Sequence, residues 1–127
     1  MPYLIVAIAA GGALGAVSRH ILGAAIMRAV GASFPYGTLA VNVLGCFLMG
    51  LLVSLLTYRL QLSMEWRGFL TVGLLGGFTT FSTFSLEGVL LFERGEHVAA
   101  AGYLAASVAL GIGAVLAGML LGKMGGV

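Results

Sequence analysis

The 127-residue chain is 61% hydrophobic and 8% charged, with a formal net charge of +2. Its mean hydropathy is +1.14. A soluble domain carries about 25% charged residues, so the composition excludes an aqueous enzyme and, with its basic residues scattered, a nucleic-acid-binding patch. A bilayer-spanning helix needs roughly 20 apolar residues. The chain therefore has room for four such helices joined by short loops, a single transmembrane domain over residues 1–127.

The first span is expected over residues 3–27. No basic segment precedes it, and Arg19 and His20 fall near its end, so it reads as a membrane helix rather than a cleaved signal. Gly11 and Gly15 have the GxxxG spacing that lets helix backbones approach in lipid. The second span is expected over 37–58, after Pro35, a residue that suits a helix start. It carries an amide, Asn42, in an uncharged run, and the single cysteine, Cys46, which reads as a small packing residue. The third span is expected over 66–92 and the fourth over 98–122, with the polar turn ERGEH (93–97) between them. Gly118 and Gly122 repeat the GxxxG spacing. Tyr36, Tyr58 and Trp66 lie near span ends, where amphipathic rings favour the interface.

Excess Lys and Arg in cytoplasmic loops sets orientation. With four spans, Arg59, Arg67 and Lys123 share one side, and Arg28 and Arg94 the other, with Arg19 near the end of span one. The count is balanced. A chain without a bias can insert both ways and pair one copy up with one copy down; a weak bias deciding one orientation is the alternative.

The third span contains GGFTTFSTFSLE (76–87). Glycines weaken a helix, and Thr and Ser bond to nearby backbone and favour helix starts. A broken helix is expected, with the break around residues 76–80. The alternative is a glycine kink whose hydroxyls bond back to the i−4 carbonyls. Irregular backbone at membrane depth survives only inside protein or beside a watery cavity, and freed carbonyls there can coordinate a cation. One chain offers about two such oxygens, fewer than a hard cation wants. Two antiparallel copies crossing at their breaks would double the number.

Beyond the break, Phe81 and Phe84 share a helical face. An aromatic ring has a positive edge, which can meet a small anion without a competing charge. Tyr103 and Ser107 share a face of span four. With Asn42, these are neutral donors, suited to an anion that must enter and leave.

The combination GGALGAVSR (11–19), FPYGTLAVN (34–42) and GGFTTFSTFSLE (76–87) resembles the Fluc, or CrcB, fluoride channels of microbes over the whole chain. The resemblance implies a multi-pass protein of the bacterial plasma (inner) membrane, an antiparallel dual-topology homodimer that passively exports cytoplasmic fluoride through two pores, with one structural Na⁺ at the dimer centre. It implies Gly76 and Thr79 as carbonyl ligands of Na⁺, Phe81 and Phe84 as pore rings, and Asn42 as the pore amide. Ser82, Thr83, Tyr103 and Ser107 would form a hydroxyl path, and Arg19 would draw anions into a vestibule. The family's span-four path often continues with a hydroxyl one turn after Ser107; here that position is Gly111.

Glu87 closes the motif. A carboxylate at membrane depth is functional by default; it is expected to hydrogen-bond to neighbouring spans or to govern access. It is also the residue on which a rival reading turns, a small proton-coupled multidrug exporter. Such an exporter needs an acidic residue in its chamber, and the first span has none. A scaffold subunit would explain the GxxxG pairs but not the hydroxyl-rich span. An enzyme is not expected, because no nucleophile, base and oxyanion site can be assembled from these residues.

Overall fold

A computed structural model describes residues 2–124; residue 1 and residues 125–127 of the expected domain lie outside the described residues. In chain order the helices are α1 (Pro2–Val30), α2 (Tyr36–Tyr58), α3 (64–78), α4 (Phe81–Glu93) and α5 (His97–Met124). Together α3 and α4 make one crossing, Met64–Glu93, so four segments are long and apolar enough to span a membrane. The chain is a multi-pass membrane protein. Gly31 (φ 88°) ends α1 and Gly95 (φ 82°) turns the chain after α4; both need the left-handed backbone that glycine adopts without strain.

Backbone contact organises the bundle. α1 runs along α3, and α2 runs along α5. At the first crossing a methyl group on Gly15 would strike the Leu74 carbonyl, and one on Gly77 would lie 2.7 Å from the Gly12 carbonyl oxygen. At the second, a methyl on Gly50 would strike the Val115 carbonyl, and one on Gly118 the Phe47 carbonyl. Both GxxxG pairs are thus contact sites. Ser54 is 2% exposed and donates its hydroxyl to the Met119 carbonyl at 2.9 Å, so α5 is tied to α2 by a hydrogen bond as well as by close approach.

The third crossing breaks, as expected, but not at its glycines. The Ser63 hydroxyl caps the first turn by accepting from the Trp66 N–H. The chain then widens into π-helical turns over Gly68–Leu75 and returns to α geometry at Gly76–Phe78. Gly76 and Gly77 stay helical. Gly73 and Gly77 are there because α1 passes too close for a side chain, with Ile8 and Gly12 backbone within about 3 Å of an added methyl. The break is made by two threonines, Thr79 (φ −89°, ψ 157°) and Thr80 (φ −148°, ψ 121°), both extended. Thr79 and Ser85 do bond back to the carbonyls four residues earlier, as the kink alternative requires, yet the helix is fully interrupted between them.

Phe84, Leu91, Ala100 and Tyr103 form a buried core between α4 and α5, with Phe34 and Leu39 packed on it. Elsewhere the spans are open: only 11–22% of each apolar window is buried within the chain. The rest must be covered by lipid or by another protein surface.

Candidate functional site

The Thr79 N–H still closes on the Leu75 carbonyl at 3.1 Å, but with Thr80 extended, the Thr80 N–H needs a partner other than the Gly76 carbonyl. Asn42 reaches across from α2 and clasps Thr80 at both ends. Its Oδ1 accepts from the Thr80 N–H at 2.8 Å, and its Nδ2 donates to the Thr80 carbonyl at 2.9 Å. One amide thus satisfies both backbone groups of an extended residue, and one Nδ2 hydrogen remains for another acceptor. Thr80 also starts α4, its hydroxyl accepting from the Thr83 N–H at 3.2 Å. This is the helix-start role expected of the hydroxyls.

The same diversions free carbonyls. The Thr80 N–H that would close on Gly76 goes to Asn42, and the Thr83 N–H that would close on Thr79 goes to the Thr80 hydroxyl. Gly76 is exposed, and no neighbour crowds the place of its missing side chain. The Gly77 carbonyl instead accepts from Arg19 Nε at 3.1 Å. Arg19 is therefore held at the break and is not a loop charge. Among the described residues no cluster of three or more His, Cys, Asp or Glu is placed to hold a metal ion. The carbonyls of Gly76 and Thr79 are hard oxygen donors of the kind alkali and alkaline-earth cations prefer, and they fit a small cation if further oxygens complete the shell.

Beside the break lies an open cavity of about 320 Å³. It brings together Asn42, Phe81, Phe84 and Ser107, drawn from α2, α4 and α5, with Thr79 and Thr80 on its wall. The Phe81 and Phe84 rings are 5.6 Å apart and tilted by 52°. Phe81 is 78% exposed and Phe84 only 8%, so one ring projects from the protomer and the other is fixed in its core. The Ser107 hydroxyl oxygen is buried and has no hydrogen-bond partner. A second cavity of about 230 Å³ gathers Arg19, Thr83 and Thr80 between α1, α2 and α4. Thr80 lines both cavities, so the Asn42–Thr80 clasp stands between them.

Two expected path residues lie apart from these cavities. Ser82 is exposed, its hydroxyl 3.4 Å from that of Thr80. Tyr103 is completely buried, its ring packed on Phe84 at 5.2 Å and edge-on to Phe34 at 5.5 Å. Its hydroxyl donates to Glu87 Oε1 at 2.9 Å. Glu87 thus makes the inter-span hydrogen bond expected of it and fixes the tyrosine that backs Phe84. It lines neither of these cavities but a smaller one of about 120 Å³, with Met27, Pro35 and Arg94.

Residue spacing alone does not point to Thr80 as the clasp. The signal for it is a lone amide in α2 with no polar partner in its own span, facing a hydroxyl-rich break that has to satisfy its backbone. Replacing Asn42 with Ala leaves the Thr80 N–H and carbonyl without partners. Each unsatisfied buried group costs about 1–3 kcal/mol. Asn42→Ala should therefore lower resistance to denaturant unfolding in detergent, whereas an amide with no structural role would leave unfolding unchanged.

The family model described as CrcB-like protein, Camphor Resistance (CrcB), matches residues 6–119. A protein of Agrobacterium fabrum named fluoride-specific ion channel FluC is 54% identical over 119 residues, covering 94% of this chain and 95% of its own length. Proteins of the same name from Rhizobium etli (52% identical, covering 90% of this chain and 91% of their own) and Caulobacter vibrioides (51%, covering 91% and 92%) match similarly. Near-complete coverage at half identity or more, together with four spans and a broken third crossing, leads to one conclusion: the chain belongs to the CrcB family.

Proposed function

We propose that the protein is a fluoride-selective channel that passively releases cytoplasmic fluoride. The observation that carries this reading is the broken third crossing, with Asn42, Phe81, Phe84 and Ser107 on one cavity beside it. A broken helix presents two kinds of end. The first-turn N–H groups of α4 lack carbonyl partners within their own helix and carry partial positive charge, which favours an anion. The C-terminal carbonyls of α3 carry partial negative charge, which favours a cation.

On this reading fluoride travels past ring edges and neutral donors. Phe81 and Phe84 meet it with their positive edges, the spare Asn42 N–H donates to it, and the unpaired Ser107 hydroxyl takes the next position. No fixed positive charge sits in this cavity to trap the ion. Ser82 and Thr83 belong to the hydroxyl path near the start of α4, and Tyr103 holds Phe84 in place through its bond to Glu87. Arg19, in the adjoining cavity, raises the local concentration of anions.

We further propose that two copies pair in antiparallel orientation, giving two pores. Gly76, an exposed residue of the third crossing whose carbonyl has lost the Thr80 N–H to Asn42, supports this, because open backbone does not face lipid. The projecting Phe81 is a second exposed group that a partner would cover. The Gly76 and Thr79 carbonyls of both copies would hold one structural Na⁺, which would join the two breaks.

The test is ion efflux from liposomes containing purified protein, read with fluoride and chloride electrodes. Fast fluoride loss without chloride loss is expected. Folded protein that releases no fluoride would overturn the proposal.

A further inference from the structure

We infer that His20 is a second anion-drawing residue of the Arg19 cavity, so that fluoride release quickens as the solution turns acid. This rests on the fluoride-channel reading and adds a charge that the solution controls. Helical spacing puts His20, Ala24 and Met27 on one face of α1. All three line that cavity, together with Thr38 of α2 and Thr83 of α4. His20 lies about ten residues before α1 ends at Val30, roughly 15 Å along the helix. An ionisable side chain at that depth is expensive unless it serves a site.

The charge of the cavity points to its occupant. Arg19 bonds the Gly77 carbonyl through Nε, and a guanidinium has further N–H groups to give. Among the described residues no carboxylate lines the cavity, and the one ion pair is that of Arg94 with Glu96. The Arg19 charge is therefore uncompensated within the chain, which favours an anion in the space beside it. His20 faces the same space. Of the elements around it, α1 brings Arg19, α2 brings Thr38, α4 brings Thr80 and Thr83, and α3 and α5 bring no lining residue. Glu87 is one turn beyond Thr83 but lines the smaller cavity with Met27 and Arg94. No acid on this wall cancels a protonated His20. Histidine is the side chain whose charge changes between pH 5 and 8. Protonated, it puts a second positive charge beside Arg19 and raises the local concentration of anions; neutral, it leaves Arg19 to act alone. His20 is exposed within the protomer, so exchanging it disturbs little packing.

The experiment compares fluoride efflux from liposomes holding the unaltered chain, His20→Gln or His20→Lys, with both sides of the membrane at about pH 6 or about pH 8. The unaltered chain should be about two- to fourfold faster at the lower pH, the effect of one charge roughly 5–10 Å away across water. His20→Gln should run at a single rate, that of the unaltered chain at the higher pH. His20→Lys should keep the faster rate at both. Neutral HF crosses lipid more readily in acid, but that leak is common to all three preparations and is measured in protein-free liposomes. Equal rates for the unaltered chain at the two pH values would overturn the inference and leave the channel reading standing. So would His20→Gln retaining the full pH effect, because the titrating group would then lie elsewhere, with Glu87 the first to examine. Failure of the unaltered chain to pass fluoride at either pH would remove the channel reading and this inference with it.

Discussion

Phe81→Ile and Phe84→Ile should each slow fluoride efflux by roughly ten- to a hundredfold, the effect of losing one interaction with a charged species worth about 1.5–3 kcal/mol. The branched side chain keeps the pathway apolar and narrow but has no positive edge to offer. The two variants separate transport from folding. Phe81 is 78% exposed within the chain, so its replacement removes almost no packing inside the protomer. A fall in efflux there reports on the ion or on the partner. Phe84 is 8% exposed and its ring lies 5.2 Å from that of Tyr103. Its replacement should also loosen the α4–α5 core, by about 1–3 kcal/mol for a shape change in a packed site. Size-exclusion chromatography in detergent beside the efflux assay tells these apart. Unchanged efflux from both variants, with the oligomer intact, would sink the ring-edge account.

The four crossings, their close packing through glycines and the interruption of the third were legible in the sequence because each depends on local composition. The break falls at Thr79 and Thr80, within the expected 76–80; what was not legible is which residues of that stretch leave the helix. The glycines at 76 and 77 invite a local explanation, but Gly77 answers to α1 passing at backbone distance, and that neighbour is invisible in a sequence read locally. What opens the helix is a pairing 38 residues apart, Asn42 with Thr80. The π-helical stretch Gly68–Leu75 had no signal, since apolar residues fill π and α turns alike. Of the candidate site, Asn42, Phe81, Phe84 and Ser107 meet on one cavity because their spacings put them on the faces the bundle turns toward it. Tyr103 shares a helix face with Ser107, but its longer side chain reaches the α4 core and Glu87 instead. Residue spacing gives the face; side-chain length and the neighbouring helix decide where the polar end arrives.

Adding three lysines to the loop between α2 and α3 should abolish transport by that variant expressed alone, and so should adding three to the opposite side. Co-expression of the two should restore it. The reasoning begins with charge. Arg19 is bonded to the Gly77 carbonyl inside the bundle, which leaves Arg59, Arg67 and Lys123 on one side against Arg28 and Arg94 on the other. A difference of one charge is a weak instruction to the insertion machinery, and three added lysines dominate it in either direction. A chain locked in one orientation keeps its own fold, because the glycine crossings and the Asn42 clasp lie within one protomer. On the proposed antiparallel pairing, what it loses is its inverted partner. On that proposal the Gly76 carbonyl then has no second break to complete a cation shell, and Phe81, 78% exposed in the protomer, stays uncovered. Folded but silent single variants with active mixtures are therefore the signature of an antiparallel pair. Full transport by one locked variant would show that each chain finds its partner in the same orientation, and the shared cation site would have to be abandoned with the antiparallel dimer.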